Sequence, residues 1–203
     1  MIAVIAIGVY YAIDGLKSGD RLVAITHAHG LIAFELTRGI FVEPDVQSFV
    51  LKHPLLIHLG NYAYLLEHWP LIAPSAVWLF LSRRDAYRHY RSAFLLAASI
   101  AFVVFALYPV APPRLAAAGF TDTAKQFNGG LLRFLQPSQL LDSYAALPSL
   151  HLAWNIIVSV ALIDQIRTPR LRYLPALLPV GMTLAIIATG NHYVLDAIAG
   201  AAL

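Results

Sequence analysis

Two short motifs near the end of the chain each place a histidine at the start of an apolar run. The first is LPSLH, Leu147–His151, and the second is GNHYVLD, Gly190–Asp196. An ionisable side chain in such a run is costly, which indicates a functional role. On a helix, Asp196 lies one turn after His192 and beside its imidazole. A histidine held by a carboxylate, with a second histidine nearby, is typical of a nucleophile and a general acid.

The pair His192 and Asp196 has three possible roles. In the first, His192 is a nucleophile whose other ring nitrogen donates to Asp196, which sets the tautomer and raises the basicity of the ring. In the second, the two side chains share a metal ion. In the third, the histidine caps a helix and the carboxylate is unrelated to it. The second histidine motif favours the nucleophile.

The LPSLH motif predicts the start of a helix. Pro148 suits the first helical turn because its missing N–H would be unpaired there. We expect Ser149 and the free N–H groups of that turn to form an anion site. His151, one turn inside, could protonate a leaving oxygen. The alternative, a capped helix with a buried histidine, explains Ser149 easily and His151 poorly.

A third motif, YPVAPPR at Tyr108–Arg114, follows another apolar run. Its three prolines stiffen the loop and hold Arg114 near the mouth of the protein. A guanidinium suits phosphate oxygens and keeps its charge, although a solvated loop arginine is the simpler interpretation. Glu67 and His68 lie about one turn inside another apolar segment, where they would contact a substrate head group or make a structural hydrogen bond.

The composition is that of a membrane protein. The chain is 59% hydrophobic and 12% charged, whereas about 25% of the residues in soluble domains are charged. It has no cysteine, which excludes disulfides and thiolate metal sites. Its net charge of +3 is explained by basic cytoplasmic loops, so we expect membrane lipids and no nucleic acid as partners.

The fold predicted from these runs is an all-α, integral membrane bundle of six helices. Both ends of the sequence fall inside apolar segments, so we expect a single transmembrane catalytic domain, 1–203, that is trimmed at both ends. Each long run approaches the roughly 20 residues needed to cross a bilayer. The six segments are 1–14, 63–82, 92–109, 147–163, 173–189 and 192 onward.

The loop charges predict the orientation of the bundle. The short loops Ser82–Ser92 and Asp164–Arg172 together carry seven basic residues, so we place them in the cytoplasm. Both histidine motifs and Arg114 then share the outer face. In the outer segment 15–54 we expect an amphipathic helix, Asp20–Thr37, that lies in the interface or over the mouth of the bundle.

The three motifs, in this order, resemble the type-2 phosphatidic acid phosphatase superfamily, which shares its site with vanadium-dependent haloperoxidases. The closer resemblance is to the inositolphosphotransferase branch, the relatives of inositol phosphorylceramide synthase. It covers the third to sixth predicted helices. The stretches that carry it are APPRL at Ala111–Leu115, AALPSLH at Ala145–His151 and TGNHYVLDAIAG at Thr189–Gly200.

The resemblance implies a role for each matching residue. His192 would be the nucleophile that forms phosphohistidine, Asp196 would orient it, and His151 would be the general acid. Ser149 and Arg114 would bind the phosphate. The implied substrate is a phospholipid or polyprenyl phosphate, handled without metal or cofactor at the extracytoplasmic face of the plasma membrane.

Three positions depart from the pattern of the superfamily. Leu107 stands where a lysine is usual, Leu150 replaces a glycine, and Ile186 stands where an arginine is usual. Leu150 agrees with the inositolphosphotransferase branch, but the two lost cations leave the phosphate pocket with less positive charge. Other cations predicted on the outer side could replace them: Arg38, Lys52, His53, Lys125 and Arg133.

These inferences predict an in-line, metal-free phosphoryl transfer from a lipid phosphate to water or to an alcohol such as inositol. Two other classes stay open at this point. An intramembrane serine hydrolase could use Ser149, but a strained G-x-S-x-G elbow is absent. A transporter or proton relay could use His192 and Asp196, but it should carry ionisable groups at mid-membrane depth on several helices.

Overall fold

The computed structural model describes residues 21–127 and 144–203. Within these ranges the chain is helical and forms no strand. The predicted first apolar segment, 1–14, and Arg133 lie outside the described residues. The α-helices are α1 Arg21–Arg38, α2 Glu43–Leu51, α3 Pro54–Leu66, α4 Trp69–Ser82, α5 Arg84–Leu107, α6 Pro113–Ala116, α7 Thr123–Phe127, α8 Leu150–Gln165, α9 Leu177–Ala188 and α10 Val194–Ala201.

Helix α8 is the centre of the molecule and packs against α4, α5, α9 and α10. It begins at Leu150, after Ser149 at the N-cap. Its first turns bury residues on several sides, among them Leu152, Trp154 and Asn155. A helix that is buried nearly all round needs neighbours on every side, which is what places its first residues inside the bundle.

In the described part of the chain, helix α5 has the length and composition of a membrane-spanning helix. By length and composition it is the one helix there that could cross a membrane, while Leu150–Gln165 and Leu174–Ala188 are shorter apolar helices. Large apolar side chains also lie on the outside, including Leu107 at 77%, Leu96 at 62% and Leu184 at 62% exposed. Exposed apolar surface of this kind marks contact with lipid or a partner. The six-helix membrane bundle stays a prediction.

The predicted helix 63–82 is wrong as a single element, because the chain breaks at Glu67 and His68 into α3 and α4. Pro70 lies in the first turn of α4 and has no N–H to donate to the carbonyl of Leu66. A continuous helix would therefore lose a hydrogen bond there and meet a steric clash. The break releases Glu67 and His68 from a regular helix, so that they contact α8.

Other boundaries also differ from the prediction. The basic loop predicted at Ser82–Ser92 is largely helical, since α5 begins at Arg84. An ion pair of 2.8 Å between Arg88 and Asp85 supports this first turn. Helix α2 was not predicted, whereas α1 closely matches the predicted amphipathic helix.

The two basic regions lie at the same end of the molecule. The Tyr90 hydroxyl near the start of α5 donates to the Asp164 carboxylate at the end of α8. Helix α8 begins beside His151 and ends at this contact. The arginines of both regions are therefore at the end opposite the two histidine motifs.

Candidate active site

The loop that carries Arg114 is joined to the segment that precedes α8. The N–H of Val110 donates to the Tyr144 carbonyl at 2.8 Å, and the N–H of Ala146 donates to the Val110 carbonyl at 3.2 Å. Val110 and Ala145 thus form an isolated parallel bridge. Backbone hydrogen bonds thus align two motifs that are distant in sequence side by side, and Val110 and Ala146 also share an apolar cluster.

The second histidine motif is a tight reversal between α9 and α10. Gly190 adopts φ +67°, its N–H donates to the Ile187 carbonyl, and the N–H of Asn191 donates to the Ile186 carbonyl, both at 3.0 Å. This is a Schellman ending, for which glycine is preferred because it has no Cβ. A Cβ on Gly190 would also lie 3.0 Å from the amide nitrogen of Gln47. The reversal delivers His192 to the site.

His192 is 4% exposed, and its Nδ1 lies 2.8 Å from the Ala146 carbonyl oxygen. A carbonyl can only accept a hydrogen bond, so Nδ1 carries the proton and donates it. In the neutral ring Nε2 therefore keeps its lone pair. The hydrogen bond that selects this tautomer comes from the backbone of the segment before α8.

The expectation that His192 donates chiefly to Asp196 needs correction, because the carboxylate is farther from the ring than the carbonyl. Asp196 Oδ2 lies 3.4 Å from Nδ1 and accepts the N–H of Tyr193 at 2.9 Å. Asp196 is the third residue of α10, where a carboxylate commonly binds the N-cap N–H. It lies beside the ring as a buried negative charge and as a cap.

The same geometry argues against a metal ion shared by His192 and Asp196. The nitrogen nearest the carboxylate is the protonated Nδ1, and a metal needs the lone pair of a deprotonated nitrogen. Across residues 21–127 and 144–203, no three His, Asp or Glu side chains are grouped to hold a metal ion.

His151 lies next to His192, with ring centroids 5.6 Å apart and planes tilted by 60°. The ring of Tyr64 stacks on His151 at 4.4 Å, and that of His68 does so at 4.3 Å. The two predicted catalytic imidazoles are therefore neighbours, and aromatic rings from α3 and the α3–α4 break hold His151 in place.

Ser149 is fully buried and serves as the N-cap of α8, where its Oγ accepts the N–H of Leu152 at 3.4 Å. Its own N–H donates to the Asp196 carbonyl at 3.0 Å, which joins the two histidine motifs directly. The expectation that Pro148 lies in the first helical turn is wrong by two positions, since the helix begins at Leu150. The Ser149 hydroxyl thus acts as a helix cap, and its role as a phosphate ligand stays a prediction.

Arg114 is tied to the residue that precedes His192. Its Nη1 donates to the Asn191 amide oxygen, its Nε lies 3.6 Å from Asp122 Oδ2, and its backbone N–H donates to the Gly190 carbonyl at 3.1 Å. Asn191 was missed by the sequence reasoning. Its position directly before His192, in the TGNH stretch, could have indicated this contact, since a side-chain amide can orient a guanidinium.

Among the cations considered as replacements for the missing lysine and arginine, Lys125 is linked to Arg114. Its Nζ lies 3.3 Å from Asp122 Oδ2, the same oxygen that Arg114 approaches. The Arg38 guanidinium instead lies over the Phe34 ring at 5.1 Å. A flexible lysine next to a shared carboxylate is well placed to add charge to an anion site.

Beside His151 lies a group of buried polar atoms that have no hydrogen-bond partner. Buried polar atoms are normally paired, so five unpaired atoms in one region are unusual. The Glu67 backbone carbonyl accepts from the Asn155 amide at 2.9 Å, which brings the α3–α4 break against α8. The atoms are Glu67 Oε2, His68 Nδ1, His151 Nε2, Trp154 Nε1 and Asn155 Oδ1.

His27 and His29, which could suggest a metal pair, instead bind two different backbone carbonyls. Nδ1 of His27 lies 2.8 Å from the Pro109 oxygen, and Nε2 of His29 lies 3.0 Å from the Ala116 oxygen. Both therefore fasten α1 to the loop and short helix around Arg114.

The structure thus gathers the seven predicted site residues around one region, and their chemical roles stay predictions. A family model of the PAP2 superfamily matches residues 29–203, a range that includes all three motifs and His29 of α1 but not His27. No curated protein and no solved structure matches the chain. Members of this superfamily are generally phosphatases and are mostly associated with membranes. Because the match spans far more than half of the sequence, the chain belongs to the PAP2 superfamily.

Proposed function

We propose that this protein is a lipid-phosphate phosphatase or phosphotransferase that works through a phosphohistidine at His192. It moves a phosphoryl group from a lipid phosphate to water or to an alcohol such as inositol. One observation carries the proposal. The Nδ1–H of His192 is held by the Ala146 carbonyl, which leaves Nε2 as a nucleophile beside the ring of His151.

In the first step the lone pair of His192 Nε2 attacks phosphorus, and the bond from phosphorus to the lipid oxygen breaks. Protonated His151 gives its proton to that oxygen, so the lipid leaves as an alcohol. Arg114 and the Ser149 hydroxyl hold the equatorial oxygens, where charge must be stabilised during phosphoryl transfer. Asp196 and the Ala146 carbonyl stabilise the phosphorylated ring, which carries a proton on Nδ1.

In the second step His151, now neutral, takes a proton from water or from an acceptor alcohol. The oxygen of that acceptor attacks phosphorus, the nitrogen–phosphorus bond breaks, and His192 regains its lone pair. The product is inorganic phosphate or a new phosphate ester. Protonated His151 is restored at the same time, so no metal or cofactor is consumed or required.

Glu67 and His68 are proposed to contact the substrate. His68 stacks on His151, and Glu67 and His68 each have a buried polar atom without a partner. A hydroxyl-bearing head group or acceptor could donate to Glu67 Oε2 and bind His68 Nδ1. The ligand, and not the protein, would then supply the hydrogen-bond partners of Glu67 Oε2 and His68 Nδ1.

We further propose that residues 1–203 form one transmembrane catalytic domain whose site opens on the extracytoplasmic side of the plasma membrane. The support is the separation of charges, since the arginine-rich end of α5 and α8 lies opposite the histidines. Basic ends remain in the cytoplasm. A phospholipid or polyprenyl phosphate would reach the site from the surrounding lipid.

The experiment is a phosphate-release screen with purified protein in mixed micelles. The substrates are phosphatidate, a prenyl pyrophosphate and a phosphoinositide, each with and without inositol and each with and without EDTA. We expect release from at least one substrate in EDTA, and its loss in His192→Asn. A phosphate ester that forms only with inositol would identify a transferase.

The matched control is His89→Asn, which changes an exposed histidine near the basic end of α5 and should leave turnover unchanged. Turnover that persists in His192→Asn would refute the nucleophile. Activity that EDTA abolishes and a divalent ion restores would defeat the metal-free mechanism.

A further inference from the structure

Three buried carboxylates meet the first backbone N–H groups of α10, directly after His192. The N–H of Tyr193 donates to Asp196 at 2.9 Å, that of Val194 to Glu43 Oε1 at 2.7 Å, and that of Leu195 to Glu35 Oε1 at 2.8 Å. The first N–H groups of a helix have no partner inside the helix, and its N-terminus attracts negative charge. Here each of three consecutive groups has its own carboxylate.

Glu35 and Glu43 come from elements far away in sequence. Glu35 is in α1 and Glu43 opens α2, and both side chains are 0% exposed. A helix is ordinarily capped by a short polar residue at its own N-cap. Two long acidic side chains brought from more than 150 positions away are a costly way to cap eight residues, unless the exact place of the helix matters.

We propose that Glu35 and Glu43 are positioning residues that hold the N-terminus of α10, and thereby the His192 imidazole, at its distance from His151. The proposal rests on the proposed function of His192. Helix α2 also holds the other side of the reversal, because the Gln47 amide donates to the Ala188 carbonyl at 3.2 Å. Helices α1 and α2 thus bind the reversal that carries His192 on both sides, at the end of α9 and at the start of α10.

The surroundings of Glu35 decide which substitution should be tolerated. Burial raises the pKa of Glu35 to about 8, and the Leu195 N–H opposes this only in part; Glu43 and Asp196 add to the rise. The groups that face it are Glu43 from α2, and Asp196 and the Tyr193 phenol from the start of α10, with His192 beside Asp196. Glu35 is therefore protonated more readily than a free glutamic acid, and glutamine imitates its protonated side chain in shape and in its acceptor oxygen.

The test compares Glu35→Leu, Glu43→Leu and Glu35→Gln with Leu31→Ala. Leu31 is buried on the same helix one turn before Glu35 and lies in an apolar cluster with Tyr193. Its truncation therefore weakens the packing between α1 and α10 but leaves the hydrogen bonds from all three acidic side chains in place. We expect both leucine variants to lower kcat about tenfold or more, because a displaced catalytic group loses rate steeply with distance. Their KM should stay within about twofold, since the phosphate ligands are intact.

Two results separate positioning from simple stability. Glu35→Gln should keep at least about half of the wild-type kcat at neutral pH, and its activity relative to wild type should rise above pH 8, where Glu35 ionises beside Glu43. Leu31→Ala should lower the melting temperature while kcat per folded molecule is unchanged. If the leucine variants do not fold, Glu43→Asp decides, because it keeps the acid but shortens its reach to the Val194 N–H. A Glu43→Asp protein with the wild-type kcat and the wild-type His192 signals overturns the proposal.

A second readout does not depend on turnover. In protein labelled with ¹⁵N-histidine, Glu43→Leu should shift the Nδ1 and Nε2 signals of His192 more than Leu31→Ala does, because only Glu43→Leu removes a hydrogen bond to the N-terminus of α10. Leucine variants that keep the wild-type kcat and the wild-type His192 signals overturn the proposal. A wild-type protein that releases no phosphate contradicts the proposed function instead, and the histidine signals then still test the positioning.

Discussion

At the scale of residues, the reactivity assigned to His192 depends on backbone groups as much as on side chains. The Ala146 carbonyl accepts a hydrogen bond from the Nδ1–H of His192, and the Schellman reversal at Gly190 fixes the position of the imidazole. Asn191, next in the chain, holds Arg114. The proposed nucleophile and the proposed phosphate ligand are therefore coupled through adjacent residues of one turn, so a change at either should disturb the transition state more than substrate binding.

Arg114→Lys tests this coupling. Lysine keeps the positive charge but lacks the planar fork that reaches Asn191, Asp122 and a phosphate together. We expect kcat to fall about 100-fold, which is typical of losing one preorganised donor to a developing charge. The measurement is steady-state kinetics with a short-chain phosphatidate. Arg88→Lys, at the basic end, is the matched control, and equal rates in the two variants would remove Arg114 from the site.

At the scale of elements, the site depends on how closely α10 approaches the start of α8. Gly200 lies on the face of α10 that meets Ser149, and a Cβ there would be 2.3 Å from the Ser149 carbonyl oxygen. That oxygen belongs to the backbone and cannot rotate away. The absence of a side chain at Gly200 therefore brings the segments that carry Ser149, His151 and His192 together.

Gly200→Ala should consequently reduce both stability and activity. Alanine is favoured over glycine inside a helix by about 1 kcal/mol, but overpacking against backbone costs about 1–3 kcal/mol. We expect a lower melting temperature and a lower kcat in detergent. Gly30→Ala is the same change in α1, where a Cβ would meet nothing within 4 Å, and it should stabilise the protein and keep its activity. A Gly200→Ala protein that behaves like Gly30→Ala would contradict the close approach.

The features that depend on residue type and local spacing could be predicted from the sequence. The three motifs, the amphipathic helix α1 and the apolar helix α8 follow from residue type and spacing, and the structure gathers His151, His192 and Arg114 around one region. The break at Glu67 and His68 was missed because apolar periodicity was given more weight than Pro70.

Other features had no local signal. The hydrogen bond to the Ala146 carbonyl could not be predicted from residue type, because every residue has a backbone carbonyl. Glu35 and Glu43 lie in the outer segment 15–54, and only the folded chain brings them to α10. The role of Gly200 likewise depends on which backbone passes beside it. These long-range contacts decide the geometry of the site after the motifs have decided its chemistry.

At the scale of the whole molecule, charge and chemistry are separated along the helix axes. The arginine-rich ends of α5 and α8 meet at the Tyr90–Asp164 contact, and the histidines lie at the other end of α8. If the molecule spans the membrane, a lipid phosphate can be processed on one side only. The orientation then decides which leaflet supplies the substrate.

Cysteine labelling tests this orientation, and the chain favours it because it contains no cysteine. Lys125→Cys marks the end with the site, and Arg88→Cys marks the basic end; the native side chains are 73% and 69% exposed. In intact cells an impermeant maleimide should label Lys125→Cys, and it should reach Arg88→Cys only after permeabilisation. The reverse pattern would place the site in the cytoplasm.

The central claim is that phosphate passes through His192, and trapping the covalent intermediate tests it most directly. An aryl phosphate labelled with ³²P has a good leaving group, so its attack by His192 needs little help from an acid, whereas release to water still needs His151 as base. In His151→Asn we expect rapid quenching to trap acid-labile, base-stable label on His192, and none in His192→Asn. Label on a serine, or turnover by wild type without any phosphohistidine, would contradict the account.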